Sequence, residues 1–165
     1  MQNYESVLRY AMQMELDGYN FFKENAEKFS DPTPGKIFHD LAKIEMEHYK
    51  YLENQLNTYL REKTFDLSEE VMKREENIFE TREKSEHLGA TLQESDIPDL
   101  TILRMAYLIE RDFKEFYEAA AANAEDEGAK AVFTKLSRWE KGHEDLFKRE
   151  YDRRMKEYMS LPWGG

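Results

Sequence analysis

The chain contains no cysteine, which excludes disulfides, thiolate nucleophiles, iron–sulfur clusters and cysteine-ligated zinc. Any metal it holds must be gripped by carboxylates and imidazoles. Proline and glycine are scarce, four and seven in 165 residues, so few positions can break a helix or turn sharply. Basic residues are outnumbered, 24 Lys and Arg against 35 Asp and Glu, for a formal net charge of -11. Such a balance cannot build a surface that tracks phosphates, and neither nucleic acid nor membrane is expected as a partner. No run reaches the length of a membrane-spanning helix, and the opening MQNYESVLRY lacks the basic and apolar regions of a signal peptide. A cytoplasmic protein is expected.

What is present is helix-forming. Hydrophobic residues make up 40% and charged residues 36% of the chain, a composition for long, solvated amphipathic helices around one core. An all-α fold is expected, with one domain over residues 1–160 and a short tail over 161–165. Leu8, Ala11, Met12, Tyr19, Phe22 and Ala26 share a face at helical spacing and predict a first helix from Tyr4 to about Phe29. DPTPG (31–35) interrupts it, with Thr33 as the expected cap and Pro34 in the first turn of a second helix running to about Lys63. Ile37, Phe38, Leu41, Ile44, Tyr51, Leu52 and Leu56 are its apolar positions. A surface helical piece is expected over Ser68–Leu88, with a narrow stripe of Val71, Met72, Ile78 and Phe79 closed by Gly89. DIPD (96–99) marks the next start, Asp96 capping and Asp99 completing a capping box, and that helix runs to about Ala124. The last begins near Ala129 and ends before Leu161-Pro162.

The chain repeats itself. LRYAMQMELDGYNFF (8–22) aligns with LRMAYLIERDFKEFY (103–117), pairing Leu8 with Leu103, Ala11 with Ala106 and Glu15 with Glu110. At the same offset Phe38 pairs with Phe133, Leu41 with Leu136, Glu45 with Glu140 and His48 with His143. Two copies of one helical hairpin make the domain. A Glu-x-x-His pair alone means little among 25 Glu and four His, where roughly 0.6 such pairs arise by chance. Register adds the specificity, because each pair follows by 30 residues a Glu that interrupts an apolar face.

Residues three apart on a helix are neighbours on one face, so Glu45 with His48, and Glu140 with His143, can grip the same ions. From Glu15 to the end of the first helix is roughly 21 Å, and from Pro34 to Glu45 roughly 16 Å, so in an antiparallel hairpin their levels agree to about a turn. All six side chains converge on one level. Four core carboxylates would cost several kcal/mol each if unpaired, and two divalent cations would cancel their charge. A lone core histidine or glutamate is more often a hydrogen-bonded packing residue, and His39 and His87, with no Glu three before them, read as surface histidines.

At these residues the sequence resembles the ferritin-like di-iron carboxylate proteins and, among them, the rubrerythrin family. Such bundles take a Glu from each of two helices and a Glu-x-x-His from each of the other two; the matching residues are Glu15, Glu45, His48, Glu110, Glu140 and His143. The resemblance covers about residues 4–158 and implies a ferritin-like antiparallel four-helix bundle, two repeated hairpins joined by a long crossover containing an extra helix. It implies a centre of two Fe ions, with Mn or a mixed pair as alternatives, in which Glu45 and Glu140 bridge, Glu15 and Glu110 are terminal and each imidazole takes one ion. Tyr107 and Tyr117 fall near that level, as supporting or plain core aromatics. Two departures stand out. Full-length members carry a cysteine-ligated rubredoxin-like domain that this sequence cannot form, so an external donor such as a rubredoxin-like protein is needed. The seventh carboxylate that members add one turn past the third-helix ligand is Phe113 here, and its first-helix counterpart is Gly18, which implies a six-ligand site.

The function implied is that of a di-iron oxidoreductase, of peroxidase or ferroxidase type, acting on peroxide or dioxygen in oxidative stress or iron handling. Alternatives are a ferroxidase or iron-storage protein, an oxygen-activating hydroxylase, and a metal-free helical interaction module. A homodimer is expected, through the second helix beyond His48 or through hairpin exchange.

Overall fold

The computed structural model describes residues 2–29, 32–68 and 96–162. Among them the chain forms four long helices: α1 (Tyr4–Asn25), α2 (Pro32–Glu62), α3 (Asp96–Asn123) and α4 (Glu127–Ser160). The expected surface helix over 68–88, with His87, lies outside the described residues apart from Ser68, and so does the tail from Trp163 onward. No strand occurs among the described residues, and no helix there is long and apolar enough to cross a membrane.

Helix ends follow local chemistry. The Asn3 side chain accepts from Ser6 N at 3.2 Å and caps α1. The helix ends earlier than predicted, at Asn25, and a tighter 3-10 turn, Ala26–Lys28, follows. Helix α2 begins two residues before the expected Pro34: Pro32 and Pro34 both fit its first turn, where the missing N–H is no loss, and Thr33 therefore lies inside the helix rather than capping it. Gly35 is required there. A Cβ on it would stand 2.5 Å from the Ala26 carbonyl oxygen, so the corner between α1 and α2 closes only around a bare backbone. Helix α2 ends at Glu62 with Lys63 in the left-handed region, φ 56°. The chain is then pinned back: Gln55 Nε2 donates to Asp66 O at 2.6 Å while Asp66 N donates to Gln55 Oε1 at 2.9 Å.

Helix α4 starts at Glu127, two residues before the expected position, because Asp126 accepts from Ala129 N at 2.9 Å and caps it. Asp96 is already helical in α3, ahead of its expected place as cap. Asp99, read as half of a capping box, is wholly buried, and its Oδ2 lies 3.8 Å from Nη1 of the equally buried Arg154.

Helix α1 packs on α2 and α3 on α4, and α1 also touches α3. The core falls into two apolar clusters. One joins Tyr4, Leu8, Leu52 and Leu56 of the first hairpin to Tyr117, Val132, Phe133 and Leu136 of the second. The other joins Phe22, Ile37, Phe38 and Leu41 to Leu103, Ala106 and Phe147. The start of α1 thus lies beside the end of α3, the antiparallel arrangement of an all-α ferritin-like bundle. Between the clusters lies a layer that is polar and yet buried.

Candidate metal centre

Helical periodicity places Glu15 on the inward face of α1, one turn after Ala11 and two turns before Phe22, all three wholly buried. Glu110 sits likewise in α3, one turn after Ala106 and two turns before Tyr117. Helices α2 and α4 contribute Glu45 with His48 and Glu140 with His143. The structure brings all six together, each with at most 1% exposure.

They form two overlapping groups. Glu15, Glu45, His48 and Glu140 present one donor atom each, all within 4.8 Å of one another; Glu45, Glu110, Glu140 and His143 do the same. Glu45 and Glu140 belong to both. His48 Nδ1 lies 3.1 Å from Glu140 Oε1, 3.3 Å from Glu15 Oε2 and 3.6 Å from Glu45 Oε2. His143 Nδ1 lies 3.0 Å from Glu110 Oε2, 3.2 Å from Glu140 Oε2 and 3.5 Å from Glu45 Oε1. The two imidazoles are nearly parallel, at 14°, with centroids 5.9 Å apart.

The proton distribution follows from burial and charge. Burial, then the charges of Glu140 and Glu45, push Glu15 well above the ordinary carboxyl range. Burial, then Glu45 and Glu140, do the same to Glu110. The central pair goes the other way. Burial and Glu140 act to raise Glu45, but the acidic proton of Glu15 and the long contacts to His143 and His48 hold it below its usual value. Burial also acts to raise Glu140, yet bonds from Glu110, His143 and His48 carry it well below. Burial disfavours the imidazolium of His143, and the Glu110 charge outweighs that and raises it well above normal. Burial and charge thus favour the proton on the outer carboxyls and the ionised form on the inner pair.

These residues fit a pair of cations. Glu45 Oε1 and Oε2, Glu110 Oε1 and Glu140 Oε1 are buried and lack a hydrogen bond of good geometry, which is expensive unless something positive is close to them. Each group offers three carboxylates and an imidazole, a hard, oxygen-rich set suited to Fe or Mn.

The surroundings are less symmetric than the ligands. Tyr117, fully buried, donates its phenol O–H to Glu15 Oε1; burial, then the Glu15 charge, raises its pKa well above the usual phenol value, so it stays a donor. Tyr107, expected at the same level, instead packs its ring on Tyr151 (centroids 5.4 Å apart) with the Arg111 guanidinium 5.7 Å over it. Two residues were not singled out from sequence. Trp139 stacks flat on His48, centroids 5.1 Å apart and planes at 12°. Glu144, beside His143 in sequence, is 6% exposed but points away into cations, with Arg111 Nε at 2.9 Å and Lys114 Nζ at 2.8 Å. The repeat signals Trp139 only as a mismatch with Ile44, and nothing in the pattern signals the Glu144 clasp. His39 is a surface residue, its Nε2 2.8 Å from Glu27 Oε1.

Phe113 and Gly18, noted only as non-ligands, turn out to be partners. A Cβ on Gly18 would lie 2.9 Å from Phe113 Cε2 and 3.7 Å from Glu45 Cγ, so the ring occupies the space that the glycine leaves beside the shared carboxylate.

With that geometry established, comparison with known proteins adds the lineage. The family model described as Rubrerythrin matches residues 6–151, most of the chain, and the protein belongs to the rubrerythrin family. Neither the curated proteins nor the solved structures gave a match.

Proposed function

We propose that this member of the rubrerythrin family is a non-haem di-iron, or di-manganese, oxidoreductase that reduces peroxide or dioxygen with electrons from an external one-electron donor. The observation that carries the reading is the sharing of Glu45 and Glu140 by two four-residue groups in a layer with no solvent exposure. Glu15, Glu45, His48 and Glu140 would hold one ion, and Glu45, Glu110, Glu140 and His143 the other. A bound pair of redox metals supplies the electrons for cleaving an O–O bond, one from each ion.

The chain does the rest. Glu15 and Glu110 would hold metal in their ionised forms, and their raised values make loading strengthen with rising pH. Tyr117 holds the Glu15 carboxylate in one orientation through its phenol O–H. The Phe113 ring seated on Gly18 covers the Glu45 side of the layer, restricting that approach to small molecules. These 165 residues hold no cysteine and so form no rubredoxin-like centre themselves, and the donor is proposed to lie outside them.

Anaerobic reconstitution with Fe(II), then stopped-flow absorbance after adding peroxide or dioxygen, tests the reading. Two irons per chain and rapid oxidation by one of these oxidants are expected. Failure to bind metal, or unchanged binding and oxidation in Glu45→Ala, would overturn it.

A further inference from the structure

The repeat that pairs Glu45 with Glu140 pairs Ile44 with Trp139. One half of the centre therefore has an indole where the other has a saturated side chain. The indole lies flat on the imidazole of His48, with centroids 5.1 Å apart and planes at 12°, and the Tyr51 ring meets it edge-on at 5.7 Å and 72°. His48 is 1% exposed, whereas Trp139 retains 8%. A single aromatic residue thus spans from a candidate metal ligand to the edge of solvent. Packing alone does not require this: Ile44, 4% exposed, fills the equivalent position with an aliphatic side chain.

We propose that Trp139 is the electron-entry residue of the centre, relaying single electrons from an external one-electron donor to the metal held by His48. The inference rests on the di-metal reading above. In each transfer the donor loses one electron, the metal at His48 gains one, and the indole ends as it began, with no bond made or broken and no net proton moved. The extended π system of an indole couples donor and metal more strongly than a saturated side chain of the same span. Entry is consequently one-sided, through the half that also contains Tyr117, and the ion beside His143 is reached from the first.

Two measurements test the role, one of them independent of turnover. The chain has two tryptophans, so in Trp163→Phe protein the fluorescence reports Trp139 alone. Loading two Fe(II) should quench that emission several-fold and loading Zn(II) should leave most of it; unquenched emission with two Fe(II) bound would overturn the proposal. In the second measurement, protein loaded and oxidised to Fe(III) is mixed anaerobically with a reduced rubredoxin-type protein, and metal reduction is followed by stopped flow. Trp139→Ile, which copies the equivalent position of the repeat, should still bind two irons while reduction slows at least tenfold, and Trp139→Phe, which restores a ring, should recover part of the rate. Equal rates in wild type and Trp139→Ile, or a loss that merely follows metal content, would overturn the relay while leaving the di-metal reading intact. A wild-type protein that binds no metal would overturn both.

Discussion

The two halves of this bundle carry the same ligand types in the same register, and they differ in what surrounds them. Around Glu15 and His48 stand a phenol that donates to the carboxylate and an indole that lies on the imidazole. At the corresponding positions around Glu110 and His143 the repeat offers Phe22, which has no hydroxyl to donate, and Ile44, which has no ring. The third mismatch, Gly18 against Phe113, serves both halves, because the missing side chain of one receives the ring of the other. Duplication supplies two equivalent ligand groups; divergence of the neighbours makes them inequivalent. A symmetric ligand set is therefore compatible with the one-sided electron entry proposed above.

The largest effects should separate shared from unshared carboxylates. Glu45→Ala removes a donor from both groups and is expected to abolish binding of both ions, while Glu15→Ala and Glu110→Ala each touch one group and should leave about one ion per chain, as read by metal analysis after reconstitution. Equal losses in all three variants would erase the distinction between shared and terminal ligands.

The next contrast is between metal-free and loaded protein. Glu15 and Glu110 have raised values in the folded state, so they bind more protons folded than unfolded; their contribution is full below the ordinary value of 4.5 and is lost as pH rises through the raised one. His143 has the same sign, with its contribution lost above its ordinary 6.5. Glu45 and Glu140 are lowered and weaken the fold only as pH falls below 4.5. The melting temperature of the metal-free protein should accordingly fall as pH rises above 4.5, whereas that of the loaded protein should rise as protons cease to compete with metal. Thermal scans at several pH values, with and without metal, check the reversal of sign.

Smaller effects probe the asymmetry directly. Tyr117→Phe deletes the donor to Glu15 and should weaken one of two titration steps for Co(II) by about 10–100-fold, the usual effect of removing a partner of a ligand. The other step should be unchanged. Smallest of all, Gly18→Ala should destabilise by roughly 1 kcal/mol, since a Cβ 2.9 Å from Phe113 Cε2 displaces only the end of a ring. Chemical denaturation measures it, and the pair of variants Gly18→Ala and Phe113→Leu together should show coupling rather than simple addition.

Much of this centre is legible in the residue string. The layer position of Glu15 follows from its interruption of the Leu8, Ala11 and Phe22 face, and the pairing of Glu45 with His48 follows from helical spacing. Helix ends are less so: α2 starts at Pro32 and not Pro34 because DPTP holds two prolines, either of which suits a first turn. Tyr107 and Tyr117 look alike from sequence, each close to the level of Glu110. One ends against Tyr151 and Arg111 and the other on Glu15, because a side chain's destination depends on the rotation of its helix about its own axis relative to the neighbours. Glu144 is the same lesson in charge: it follows His143 directly, yet one residue of helix turns it by about 100° toward Arg111 and Lys114.

By itself the sequence determined an all-α chain of duplicated hairpins and the six residues that meet at its waist, because amphipathic periodicity, three-residue spacing and the repeat are local properties of a helix-forming string. Only the tertiary structure decided that Glu45 and Glu140 are shared by both groups, that Phe113 lies over Gly18, and that Trp139 rests on His48. Those relations join residues on different helices, and they are set by how four cylinders turn to fill one core.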